Sequence, residues 1–177
     1  MTNKQSHPDG SISNQEINWL VRRAKDGFGI VTTAAANVSE DGKGWEGEIG
    51  IFDDKQIFGL KTLTSQIRRY GSLSLAQLFH GGMRSPQALT GLVPLSASKN
   101  TCKESLSGFA RACKESDIMR LIQNFADSAV RCFEAGFDGV EIHGAHGYLI
   151  SQFLGTKTNR RFDKWGGSIF SRSRFLI

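Results

Sequence analysis

Two histidines, a glutamate and a tyrosine crowd the segment GVEIHGAHGYLISQFL, as Glu141, His143, His146 and Tyr148. In a turn, the His-Gly-Ala-His spacing can aim both imidazoles at one ligand oxygen, where each donates a hydrogen bond and stabilises negative charge developing there. Tyr148 adds a phenol able to give up a proton in a dry site. Two donors and one acid describe enolate-type chemistry: addition to, or proton transfer beside, a carbonyl. The same residues admit plainer readings. A histidine at a strand end is commonly a satisfied turn residue, and Tyr148 can be the first apolar residue of a helix. A His-x-x-His pair can also bind zinc with Glu141. Glu141, however, alternates with Val140 and Ile142 and faces a different side from both.

Gln77 raises a second question. A glutamine closing a buried strand needs a partner for its amide. A planar heterocycle with donor and acceptor on one edge would satisfy it, and so would a neighbouring backbone group. Ala34, Ala35 and Ala36 leave space past another strand, which suits a flat ligand lying against backbone and equally suits tight helix packing.

These residues need elements to position them. SISNQEINWLVRRAKDG reads as a helix: Ser13 and Glu16 form a capping-box pattern, Ile17, Leu20, Val21 and Ala24 recur at helical spacing, and Gly27 stops it. FGIVTTAAA is a strand. NVSEDGKGWEGEIG is loop. Residues 53–70 form a second helix with Ile57, Leu60, Leu63, Thr64 and Ile67 on one stripe, ended by Gly71. SLSLAQLF is a strand. HGGMRSPQALTGLVPLSASKNTCKES is long and irregular, a length usually tied to function or mobility. Residues 117–135 form a helix with Ile118, Leu121, Ile122, Phe125, Ala129 and Phe133 on its apolar face. Gly136 caps it, FDGVEIH is the third strand, and further helices begin at YLISQFL and SIFSRSRFLI. Strands separated by helices imply a parallel sheet with right-handed crossovers. Ala35, Gln77 and His143 then all fall at strand C-termini, the edge where α/β folds bind ligands.

The bulk properties narrow the class. The 177 residues suffice for one domain with a core, and 39% hydrophobic with 22% charged residues is a soluble globular composition. No apolar run approaches the roughly 20 residues of a membrane helix. MTNKQSHPDG has no apolar h-region, so no secretory signal is read and a cytoplasmic location is expected. The net charge of +5 is scattered. Only Arg160, Arg161, Lys164, Arg172 and Arg174 cluster, interleaved with Asp163, so a solvated basic surface is expected rather than nucleic-acid binding. Cys102, Cys113 and Cys132 have no metal spacing and read as reduced structural thiols.

EIHGAHGYLISQFL followed by TNRRFDKWGGSIFSRSRF resembles the Old Yellow Enzyme family of FMN-dependent oxidoreductases. That family's strand ends in His-Gly-Ala-His/Asn-Gly-Tyr-Leu, followed by Gln-Phe-Leu, Asn-Arg-Arg, Tyr-Gly-Gly-Ser and Asn-Arg-x-Arg-Phe. LAQLFHGG resembles its Gln-Leu-x-His-x-Gly, and MTNKQSHPDG the segment after its first strand. The resemblance covers nearly the whole chain in the family's order, with Trp165 in place of the usual Tyr and Ser171 in place of the usual Asn.

The resemblance implies an α/β fold: roughly the first half of a TIM (β/α)8 barrel with parallel strands, residues 1–177 forming a single incomplete FMN-oxidoreductase barrel domain. It implies FMN at the strand C-termini, with Thr2, Ala35 and Gln77 as cofactor-binding positions. It implies His143 and His146 holding the substrate's carbonyl oxygen and Tyr148 as the catalytic proton donor. NADH or NADPH would reduce the flavin, whose hydride passes to the β-carbon of an activated alkene or enone while Tyr148 protonates the α-carbon. A full barrel takes about 250 residues, and here Met1 falls past the family's first strand and Ile177 within its fourth helix. The expectation is therefore exposed sheet edges, weak FMN binding by the isolated chain, and self-association or a complementing chain as partner. A non-catalytic half-barrel is the alternative.

Overall fold

Ser13 starts helix α1 (Asn14–Lys25) as its sequence pattern requires, its hydroxyl accepting from the Glu16 N–H at 3.1 Å. The reciprocal half of the capping box does not form. The Glu16 side chain is fully buried and accepts from the Ser6 hydroxyl instead. Burial raises its pKa above the usual glutamate value. A closed capping box occurs where none is expected from sequence, with Asp53 and Gln56 ahead of α2 (Ile57–Arg68).

The computed structural model describes residues 3–177. The chain forms two compact units, the first comprising residues up to 39, 45–79 and 124–142, the second 40–44, 80–123 and 143–177. In the first unit β1 (Ile30–Asn37), β2 (Leu73–Phe79) and β6 (Gly139–Ile142) make a parallel sheet in the order β1-β2-β6. Its core joins Ile17, Leu20 and Ala24 of α1, Leu60, Leu63 and Ile67 of α2, and Val31, Ala36, Ala76 and Leu78 of the strands. Gly27, Gly71 and Gly136 follow their helices with φ of 97°, 75° and 83°, left-handed geometry that lets the chain turn into the next strand. At the start of β6 the Asp138 carboxylate accepts from the Ser74 N–H at 2.8 Å and from its hydroxyl at 3.1 Å. The bond from that N–H, followed by the hydroxyl and the charge of Arg68, holds the carboxyl below its ordinary range despite partial desolvation.

The second unit corrects the reading of residues 80–105 as wholly irregular. After helix α3 (Gln87–Thr90), strands β3 (Leu95–Ser96), β4 (Asn100–Thr101) and β5 (Phe109–Ala112) form a small sheet in the order β3-β5-β4. Runs of two to four residues carry no readable period. The basic cluster is also not a bare solvated surface. Arg161 donates to the carbonyls of Ala97 at 2.8 Å and Cys113 at 2.6 Å and pairs with Asp163, while Arg160 donates to Asn100 and the Lys99 carbonyl. These arginines staple the segment before α4 (Glu115–Glu134) to the segment after α5 (Leu149–Leu154). Helix α6 (Ile169–Ser173) follows, and Phe175 stacks on Phe153 at 4.6 Å.

All three cysteines are free and buried, and burial pushes the Cys113 and Cys132 thiols up to about 12. Among the described residues no helix is long and apolar enough to cross a membrane.

Candidate functional site

In the first unit a polar row crosses the C-terminal ends of the strands. Ala35 pairs in register with Gln77, and Gln77 with Glu141. The β1–β2 register slips between Thr32 and Ala35, and the Thr33 hydroxyl fills the gap. It accepts from the Gln77 N–H at 3.1 Å and donates to the Ala34 carbonyl at 2.7 Å. Such irregularities re-aim groups beside active sites. The Gln77 amide nitrogen donates to Glu141, which leaves the glutamate committed within the row. Ala35 is 1% exposed and adds no bulk. A small side chain beside a fixed amide with donor and acceptor suits the edge of a flat heterocycle, so the residues present fit a flavin. Thr2 lies outside the described residues.

In the second unit the structure brings His143, His146 and Tyr148 together in one turn. The His143 ring centroid lies 5.0 Å from that of His146 and 5.0 Å from that of Tyr148, edge-on to both. The Ala145 N–H donates to His143 Nδ1 at 3.2 Å, which assigns the neutral ring's proton to Nε2. His143 Nε2 stands 3.2 Å from His146 Nδ1. The proton order is then Ala145 N–H to His143, His143 Nε2–H to His146, with His146 Nε2–H as the outward donor. A chain of this kind polarises its last donor. Two separate imidazole donors were the expectation; the structure links them. His143 is buried, His146 exposed and Tyr148 intermediate, a gradient from scaffold to solvent.

His146 and Gly147 both adopt left-handed backbone, with φ of 57° and 70°. For a histidine this costs about 1 kcal/mol, so the surroundings must hold it. Every carbonyl from Gly144 to Gly147 is taken. Ser151 Oγ donates to Gly144 O at 2.7 Å and the Tyr148 N–H to Ala145 O at 3.2 Å. Arg84 donates to His146 O at 2.8 Å and Gln152 to Gly147 O at 2.7 Å. Gln152 is 1% exposed, and its amide also donates to Gly81 O and accepts from the Met83 N–H. Gly82 admits it: a Cβ there would meet the Gln152 amide oxygen at 2.5 Å.

His80 belongs to the same framework. It is 2% exposed, accepts the Gly82 N–H at Nδ1, and directs Nε2 at Asp41, 3.3 Å away. Arg120 pairs with the same carboxylate at 2.6 Å, and the His80 carbonyl receives the Leu149 N–H at the start of α5. Sequence reasoning assigned no role to Arg84, Gln152, Ser151, Asp41 or Arg120. The readable signals were Gln152, polar in an apolar run, and His80, following a buried strand. Among the described residues no group of three or more His, Cys, Asp or Glu could hold a metal ion.

Parallel strands separated by helices place the chain in the class of (β/α)-barrel folds. The family model for NADH:flavin oxidoreductases and NADH oxidases matches residues 1–177. The chain belongs to that family. It is 41% identical over 177 residues to a probable NADH-dependent flavin oxidoreductase, YqiG, of Bacillus subtilis (strain 168), covering all of this chain and 47% of that protein. It is 38% identical over 179 residues to an NADH oxidase of Thermoanaerobacter brockii, covering 27% of that protein. The chain thus spans half or less of the length of these relatives. The Old Yellow Enzyme homologue from Zymomonas mobilis superposes with a TM-score of 0.91 at 31% identity, over 99% of this chain and 51% of that one. A morphinone reductase solved with tetrahydroNAD gives a TM-score of 0.91 at 29% identity. The fold is therefore the N-terminal half of an Old Yellow Enzyme-type TIM barrel.

Proposed function

We propose that this chain serves an FMN-dependent, NAD(P)H-driven oxidoreductase of the ene-reductase type, acting on an activated alkene such as an enone, with residues 1–177 as one incomplete barrel domain. The observation that carries this reading is the mutual geometry of His143, His146 and Tyr148 in a turn whose carbonyls are all tied down. The polar row supports it, with Ala35 and Gln77 as the positions that would hold the flavin together with Thr2. The chemistry that bound FMN supplies, once reduced by NADH or NADPH, is hydride delivery to the alkene β-carbon. The linked imidazoles bind the substrate's carbonyl oxygen and stabilise the negative charge that gathers there. Tyr148, edge-on to both rings, protonates the α-carbon.

An anaerobic assay with FMN, NADH and a simple cyclic enone tests this. Tyr148→Phe is expected to slow enone reduction about a hundredfold or more while leaving reduction of the flavin by NADH in place. Equal enone rates in the two proteins contradict the assignment.

A second reading, a half-barrel that acts only with a second copy or a complementing chain, is favoured by the first unit's surface. There Val130 and Phe133 of α4 and Val140 and Ile142 of β6 are exposed, Phe133 to 82%. Exposed apolar groups of this kind mark association surfaces. Solution mass separates the readings: a defined dimer supports association, and a monomer that holds FMN and turns over supports the first.

A further inference from the structure

The turn from His143 to Tyr148 is held by four donors, and they are not equivalent. Ser151 and the Tyr148 N–H act within the turn and the helix that follows it. Gln152 is buried and ties Gly81 and Met83 besides, so its loss would disturb more of the second unit's loops than this turn. Arg84 is different. It is exposed, it projects from the short helical turn Gly82–Arg84, and it touches both His146 and Tyr148. Its Nη1 donates to the His146 carbonyl at 2.8 Å, and its guanidinium carbon lies 5.2 Å over the Tyr148 ring.

Those two contacts fix two separate variables. The carbonyl bond holds the peptide that joins His146 to Gly147, two consecutive residues in left-handed backbone with φ of 57° and 70°. That backbone aims the His146 ring so that Nδ1 meets His143 Nε2 at 3.2 Å. The cation over the phenol ring fixes the ring plane, which stands at 83° to His143 and 90° to His146. A planar guanidinium can do both at once because its donors and its flat face are orthogonal.

We propose that Arg84 is the positioning residue of the carbonyl site, holding His146 in register with His143 and orienting the Tyr148 ring through one side chain. The inference rests on the reading of this turn as a carbonyl site, but its test uses no substrate. The chain has four histidines, His7, His80, His143 and His146, and two tyrosines, Tyr70 and Tyr148, so ring signals can be assigned individually by NMR of the isotope-labelled full chain. In the parent protein His143 should show a protonated Nε2 in slow exchange and His146 an acceptor Nδ1. His80, bonded to Asp41, is the internal control for the loop.

Arg84→Met is expected to abolish the slow exchange of the His143 Nε2 proton and to move the His146 signals toward those of a solvent-exposed imidazole, with His80 unchanged. Identical His143 and His146 signals in the two proteins overturn the proposal. Should Arg84→Met also disturb His80, Arg84→Gln carries the test. Glutamine keeps a donor for the His146 carbonyl and removes the cation. It should preserve the histidine link while shifting the Tyr148 ring signals, and Tyr148 signals matching the parent overturn the proposal. A carbonyl ligand that moves neither His143 nor His146 in the parent would count against the carbonyl reading alone and leave the Arg84 outcomes as they stand.

Discussion

The polar row of the first unit and the imidazole turn of the second are built by opposite means. Ala35, Gln77 and Glu141 are set side by side by backbone ladders, so their spacing comes from the sheet itself. The turn has no ladder. Its carbonyls are held mainly by the side chains of Ser151, Arg84 and Gln152. A row of the first kind tolerates changes in neighbouring side chains. A turn of the second kind loses its geometry when one clamp goes, and the comparison can be broken at specific residues.

The largest effect is expected at Gln152. Gln152→Leu removes three hydrogen bonds, one buried and two partly buried, and leaves the Gly81 and Gly147 carbonyls and the Met83 N–H without this partner. Buried groups left unpaired cost on the order of 1–3 kcal/mol each, so a loss of about 3 kcal/mol in urea unfolding is expected, together with loss of the His143–His146 link. The Gln77 side-chain signals should stay in place.

Thr33 is the exception that sharpens the contrast, because here the row depends on a side chain. Thr33→Val removes the hydroxyl that bridges the Gln77 N–H and the Ala34 carbonyl. The expected cost is about 1 kcal/mol, with the Gln77 backbone amide shifting and the imidazole signals of the turn unmoved. An unchanged Gln77 amide would show that the ladder needs no such bridge.

Two carboxylates of the first unit should give smaller and opposite pH effects. Asp138 titrates below its ordinary value because the Ser74 N–H bonds the charged form. Its stabilisation is present above the ordinary aspartate range and is lost as pH falls through the depressed folded value. Asp138→Asn should therefore flatten the acid limb of the stability profile. Glu16 titrates above its ordinary value because burial penalises the charge. The folded protein holds the Glu16 proton more tightly, so stability declines as pH rises from the ordinary glutamate value through the raised one. Glu16→Gln should raise the melting temperature at neutral pH and leave it nearly unchanged in acid. A uniform shift at all pH values would contradict the burial account.

What the sequence made legible follows the same division. Helices α1, α2 and α4 were readable because apolar spacing and a left-handed glycine are local signals. So were the three parallel strands, although β1 and β2 run two residues past Ala35 and Gln77 and β6 stops at Ile142, one residue before His143. The small sheet β3-β5-β4 was not, because its strands are too short to show a period and are pinned by Arg160 and Arg161 from far along the chain. His143, His146 and Tyr148 were legible as a group because they are neighbours in sequence. Arg84 and Asp41 were not, since their partners lie 62 and 39 residues away. Glu16 shows the limit of a local rule: its capping-box spacing is present, yet a buried hydroxyl at Ser6 takes the carboxylate.

The central claim is that the His143–Tyr148 turn binds a carbonyl oxygen. Imidazole NMR of the full chain during titration with a simple cyclic enone tests it most directly. The account predicts that His143 and His146 shift together and saturably while His7 and His80 stay fixed, and that Tyr148→Phe retains the shift. Movement of His80 or His7 alone, or no movement at any enone concentration in a folded protein, would contradict it.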